Sequence, residues 1–109
     1  MIPGHVRIFV CSEPVDMRFG FDRLVARIRD ELKEDPQSGS LFIFANRRAT
    51  RLKVLWCERH GLCMLYKRLH RASFEVPSDG RSVAVTIDAQ RLRKLLEGVP
   101  RGERPRKSR

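Results

Sequence analysis

Two β-prone runs, Arg51 to Cys57 and Leu62 to Leu69, stand on either side of Glu58-Arg59-His60-Gly61, a short polar stretch ending in glycine. Runs of this length joined so tightly read as an antiparallel hairpin, and a hairpin commits the chain to a sheet. A lone hairpin is marginal in water, so more strands and a covering layer have to come from the rest of the chain. His5 to Cys11 supplies a β-prone segment before the turn-forming Ser12-Glu13-Pro14. Leu41-Phe42-Ile43-Phe44 is a compact apolar run between turn residues, which predicts a buried strand. Ser73 to Val76 and Ser82 to Ile87 read as further short strands.

The covering layer is helical. Phe21, Leu24, Val25, Ile28 and Leu32 recur at helical spacing with Arg23, Arg27, Arg29 and Asp30 on the other side, which predicts a helix from about Gly20 to Glu34. Asp88 is placed to cap a second helix, about 88 to 97, that carries Leu92, Leu95 and Leu96 and stops at Gly98 and Pro100. With 109 residues, 41% of them hydrophobic, one modest core is available. The expected fold is therefore α+β: a mostly antiparallel sheet of about five strands with two helices, forming a single domain over 1–98. Residues 99–109 have the composition of a basic disordered tail.

In the hairpin, setting Cys57 opposite Cys63 brings Leu55 to Leu65 and Lys53 to Lys67 on one face, and Val54 to Tyr66 and Trp56 to Met64 on the other. Two lysines across a ladder repel, an arrangement that a bound anion would compensate. A slip of one residue exchanges the faces.

The charge is distributed unevenly. The formal net charge is +10. Residues 41–74 hold Arg47, Arg48, Arg51, Lys53, Arg59, Lys67, Arg68 and Arg71 against the single acid Glu58, and 101–109 carry five basic groups against one acid, while the remainder is near neutral. One basic block and one basic tail are the pattern of a surface that meets a polyanion rather than of a generally solubilised protein. The candidate nucleic-acid-binding set is Arg47, Arg48, Arg51, Lys53, Lys67, Arg68 and Arg71. Arginine and lysine give charge-assisted hydrogen bonds to phosphate and release counterions, independently of base sequence. Tyr66 or Trp56 could stack on a base, although an aromatic on a hairpin usually belongs to the core.

Other chemistries find less support. Asp16, Arg18 and Asp22 surround the start of the first helix and read as a capping and ion-pair network, with a partner-contact loop as the alternative. Glu31-Leu32-Lys33 has the spacing of a Glu-x-Lys nuclease signature, but it falls in the predicted helix rather than on a strand. Cys57, His60 and Cys63, with His70, can be drawn as a zinc site, yet they lack the close cysteine pair of structural zinc sites, so partly buried thiols are expected. Neither a metal nor a cofactor is expected, nor catalysis. Three cysteines suit reduced thiols, the longest apolar runs are far too short to cross a bilayer, and Met1-Ile2-Pro3-Gly4-His5 has no secretory pattern. The expected localisation is cytoplasmic, with nucleoid association when DNA is bound.

Several segments taken together carry a family resemblance. Asp16-Met17-Arg18-Phe19-Gly20-Phe21-Asp22-Arg23-Leu24, Asp35 to Arg48, Arg51-Leu52-Lys53-Val54-Leu55-Trp56 with Gly61-Leu62, and Tyr66-Lys67-Arg68-Leu69, in this order, closely resemble the TnpB accessory proteins of the insertion-sequence-sixty-six transposon family. The resemblance runs from about Ile2 to Glu97. Phe19, Arg23 and Cys57 depart from the family pattern, and none of them belongs to the candidate set. The resemblance implies a small bacterial mobile-element protein working beside a separate transposase and a second accessory protein. Its expected role is non-catalytic: holding transposon DNA or assembling the transposase on it. The alternative is a protein-interaction module that docks on acidic surfaces of the transposase or the sister protein, and RNA binding is a third reading.

Overall fold

Leu41–Ala45 is apolar at every position, a pattern that suits only a strand covered on both faces. The structure, a computed structural model describing residues 6–100, places it at the centre of a five-stranded sheet. The elements in chain order are β1 (Ile8–Cys11), α1 (Phe21–Asp30), β2 (Leu41–Ala45), β3 (Arg51–Glu58), β4 (Gly61–Arg68), β5 (Ala72–Ser73), β6 (Ala84–Ile87), α2 (Ala89–Glu97) and β7 (Val99–Pro100). The sheet order is β4-β3-β2-β1-β6, and β5 with β7 forms a separate two-stranded ladder. β1 and β2 are parallel, joined through α1, and the other neighbours are antiparallel. The expected α+β class, with a mostly antiparallel five-stranded sheet and two helices, matches this architecture.

The two helices lie on opposite faces of the sheet. Leu24 and Ile28 of α1 pack with Phe9, Cys11, Phe42, Phe44 and Leu55, and the rings of Phe9 and Phe42 stack with centroids 5.3 Å apart. Leu92 and Leu95 of α2 pack with Ile8, Val10, Ile43, Leu52 and Val54. Alternate residues of each central strand thus feed alternate cores, which is why β1 and β2 carry no exposed residue. The thiol of Cys11 is pushed up from its usual pKa chiefly by this burial.

α1 stops earlier than its apolar spacing predicts, at Asp30 instead of about Glu34. The last turn widens: Arg27 O accepts from both Glu31 N and Leu32 N, Ile28 O accepts from Glu34 N, and Lys33 takes a left-handed φ of 59°. Leu32 remains buried although it lies outside the helix. Because Lys33 is exposed and left-handed, Lys33→Gly is expected to raise stability by about 0.5–1 kcal/mol in urea unfolding.

α2 forms where its cap predicts, Asp88 Oδ1 accepting from Arg91 N at 2.8 Å. Beyond it the sequence reading needs correcting, because Val99 and Pro100 pair with Ser73 and Ala72 instead of opening a disordered tail. That ladder also shortens the strand expected over Ser73 to Val76 to Ala72–Ser73. Arg101 to Arg109, and His5 of the first predicted strand, lie outside the described residues. The return into β7 is made by Gly98 at φ 77° and ψ 175°, where an added Cβ would sit 2.5 Å from Leu69 Cδ1 and 3.3 Å from Ser73 O. Gly98→Ala is expected to cost about 2–4 kcal/mol, measurable by thermal or urea unfolding, from a backbone region reserved for glycine together with that clash.

The hairpin register also differs from expectation. Glu58 pairs with Gly61 across a two-residue loop, so Cys57 faces Leu62, Trp56 faces Cys63, Leu55 faces Met64, Val54 faces Leu65 and Lys53 faces Tyr66. Two-residue loops match the strand twist best, and the shorter loop shifts every pair by one. Cys57 and Cys63 therefore project from opposite faces, as do Lys53 and Lys67, and the like-charged pair across the ladder is Arg51 with Arg68.

Candidate nucleic-acid interface

The turn from β2 to β3 is built around Asn46. Its Oδ1 accepts from Thr50 N and Arg51 N, each at 2.9 Å, its Nδ2 donates to Thr50 Oγ1 at 3.3 Å, and its backbone carbonyl accepts from Ala49 N. Asparagine suits this task because its short amide reaches the backbone a few residues on. Ala49 closes the turn at φ 55°, leaving Arg47 and Arg48 exposed at the tip.

The chain leaving β4 returns to the same turn. Thr50 O accepts from Leu69 N at 2.9 Å and Ala49 O accepts from Phe74 N at 2.6 Å, while Phe74 is buried against Leu52 and Leu92. Arg71, at φ 57°, lies on the exposed bend between these two attachments. Arg51 and Arg68 are partners at the adjoining end of the hairpin, with Arg51 Nη1 donating to Tyr66 Oη at 3.4 Å. Arg47, Arg48, Arg51, Arg68 and Arg71 thereby gather at one end of the sheet from two separate chain segments, 47–51 and 68–71. The ion pairs among the described residues are Arg18 with Asp16, Arg27 with Glu31 and Arg29 with Asp30, so no carboxylate neutralises any of the five.

The two lysines of the predicted set lie elsewhere. Lys53 is 7% exposed, and its Nζ donates to Met17 O at 2.7 Å and Phe19 O at 2.8 Å and lies 4.9 Å from the Tyr66 ring centroid. It ties the loop before α1 onto the sheet, and phosphate cannot reach it. Lys67 Nζ donates to Leu96 O, a carbonyl left free at the end of α2, where a cation also complements the helix dipole. The sequence reading missed both roles, because the acceptor carbonyls lie about thirty residues away and have no sequence signal of their own.

The segment around Asp16 forms a smaller ion pair than expected. Arg18 donates through Nε and Nη2 to both carboxylate oxygens of Asp16, at 2.7–3.1 Å, and this hydrogen bonding holds the Asp16 carboxyl down at about 2. Asp22 sits in the first turn of α1, and Arg23 lies over the Phe19 ring, 4.3 Å from its centroid. Tyr66 is half exposed, whereas Trp56 packs on the α2 side with Nε1 donating to Glu58 Oε2 at 3.3 Å. Among the described residues, no group of three or more His, Cys, Asp or Glu side chains is placed to hold a metal ion. No helix among them is long and apolar enough to cross a membrane.

Two proteins of Sinorhizobium fredii are similar over most of their length: uncharacterized protein y4hO, 38% identical over 101 residues covering 91% of this chain and 87% of the relative, and uncharacterized protein y4jC, 35% identical over 96 residues covering 86% and 80%. No solved structure matches. The family described as "IS66 Orf2 like protein" matches residues 6–106, a span that takes in the Lys53-tethered loop, the whole sheet and both helices, and the chain belongs to that family.

Proposed function

We propose that the chain is a non-catalytic accessory protein of transposition that holds element DNA through Arg47, Arg48, Arg51, Arg68 and Arg71. The observation that carries this reading is the gathering, at one end of the sheet, of five arginines that form no ion pair among the described residues. Guanidinium groups on a turn, a strand end and a bend suit phosphate oxygens spaced along a backbone, and the family supplies the setting in which that backbone is transposon DNA. The five arginines lie on neither helix: α2 exposes Arg91, Arg93 and Lys94 but contributes none of the five, and α1 offers no basic recognition face. The exposed side of α1 mixes Asp22 and Asp30 with Arg23 and Arg29, so the reading is phosphate contact without base selection.

Mobility shift with duplex DNA from the element's ends tests this. A complex at low salt that weakens steeply as salt rises is the expected result. No complex at low salt, with transposase co-purifying after nuclease treatment, would replace DNA by an acidic protein surface as the partner.

A further inference from the structure

β4 is an edge strand of eight residues, twice the length of β6 at the other edge. Of the five large apolar side chains exposed among the described residues, three lie on β4: Leu62 at 37%, Leu65 at 42% and Tyr66 at 50%. Soluble proteins usually blunt such an edge with charge, proline, a bulge or brevity. From Gly61 to Tyr66, β4 has none of these, and the amine of Lys67 is turned away to Leu96 O. A two-residue loop makes its closing pair, Glu58 with Gly61, a mutually hydrogen-bonded one, so Gly61, Cys63, Leu65 and Lys67 direct their backbone groups to β3. Leu62, Met64, Tyr66 and Arg68 direct theirs outward, and no backbone hydrogen bond outside the β3 ladder engages them.

We propose that this edge pairs antiparallel with the same edge of a second copy of the chain, Met64 opposite the partner's Met64, joining two sheets into one of ten strands. A two-fold axis normal to the sheet keeps like faces together, so only residues of like parity can oppose. In the Met64-centred register Leu62 meets the partner's Tyr66 and Cys63 meets the partner's Leu65, which covers all three exposed apolar side chains at once.

The charges agree with this occupant. Lys67 falls opposite the partner's Gly61 and Arg68 opposite the partner's His60, so no two cations of the strand oppose each other. Beyond the side-chain-free Gly61, the next residue in that row is Glu58, an acid rather than a further cation. Pairing β4 with β6 of another copy would be head-to-tail and would propagate, whereas self-pairing closes at two. With the DNA reading above, the joint sets two arginine ends on one dyad, about 27 Å apart along the strands at ~3.4 Å per residue.

Sedimentation of nuclease-treated, DNA-free protein over a concentration series tests the dimer independently of DNA. The expected mass doubles as concentration rises, and Leu62→Lys with Leu65→Lys holds it at the monomer while circular dichroism, and melting at dilutions where both chains are monomeric, stay unchanged. In a Cys57→Ser, Cys63→Ser background, Met64→Cys is expected to cross-link two chains on mild oxidation, since a hydrogen-bonded pair sets its Cα atoms about 5.5 Å apart. Tyr66→Cys, which lies opposite the partner's Leu62, is expected not to cross-link. A monomer at every concentration, a dimer that survives the two lysine substitutions, or cross-linking at Tyr66 equal to that at Met64 would overturn the proposal.

Discussion

Replacing Arg47, Arg48, Arg51, Arg68 and Arg71 by glutamine, singly and together, is expected to flatten the salt dependence of DNA binding in steps. Each phosphate contact contributes roughly 0.9 to the slope of log affinity against log salt, which at ~0.1 M salt corresponds to about eightfold in affinity per contact. A variant lacking all five is expected to lose most of the slope and on the order of a thousandfold or more in affinity under those conditions. The loss should be the same for element-end and unrelated duplexes, because phosphate contacts carry no sequence information. Arg29→Gln is the control: Arg29 is exposed on α1 and paired with Asp30, away from the cluster, and should leave the slope in place. Titrations by fluorescence anisotropy at several salt concentrations read all of this. A slope unmoved by the fivefold variant would sink the assignment, and a loss confined to element-end DNA would show base reading instead.

The cluster differs from the sequence's basic block in an instructive way. Local signals were sufficient for the hairpin, for the Leu24 and Ile28 stripe of α1, for β2 and for the Asp88 cap, since each depends on neighbours a few residues apart. The register was not legible, because the stretch after Glu58 accommodates either a three-residue loop, which sets Cys57 opposite Cys63, or a two-residue loop, which sets Cys57 opposite Leu62, and only packing chooses between them. Arg47 and Arg48 were grouped with Arg68 and Arg71 by charge. What brings them together is a pair of backbone hydrogen bonds, from Leu69 N to Thr50 O and from Phe74 N to Ala49 O, that no composition reveals. The β5 and β7 ladder depends in the same way on a distant pairing, joining two-residue segments too short for any pattern.

Lys53 gives the sharpest separation between charge that binds and charge that builds. On β3 it alternates with Leu52 and Val54 as an outward-facing polar residue should, yet both faces of that strand are covered. Its stem crosses apolar surface and its Nζ meets Met17 O, Phe19 O and the face of Tyr66. Lys53→Met keeps the stem and removes the donor, leaving two carbonyls of the loop before α1 without their partner. Unsatisfied polar groups in such a setting cost about 1–3 kcal/mol each, and partial hydration as the loop loosens offsets some of that. The expected loss is about 2–4 kcal/mol by urea unfolding, with faster backbone hydrogen exchange over Met17 to Gly20. At temperatures where the variant remains folded, its DNA-binding salt slope should equal that of the unsubstituted chain, whereas Arg68→Gln should lower the slope and leave stability nearly unchanged. If Lys53→Met instead weakened DNA binding with no change in unfolding, the side chain would have to reach phosphate in solution, and the tether between the loop and the sheet would be wrong.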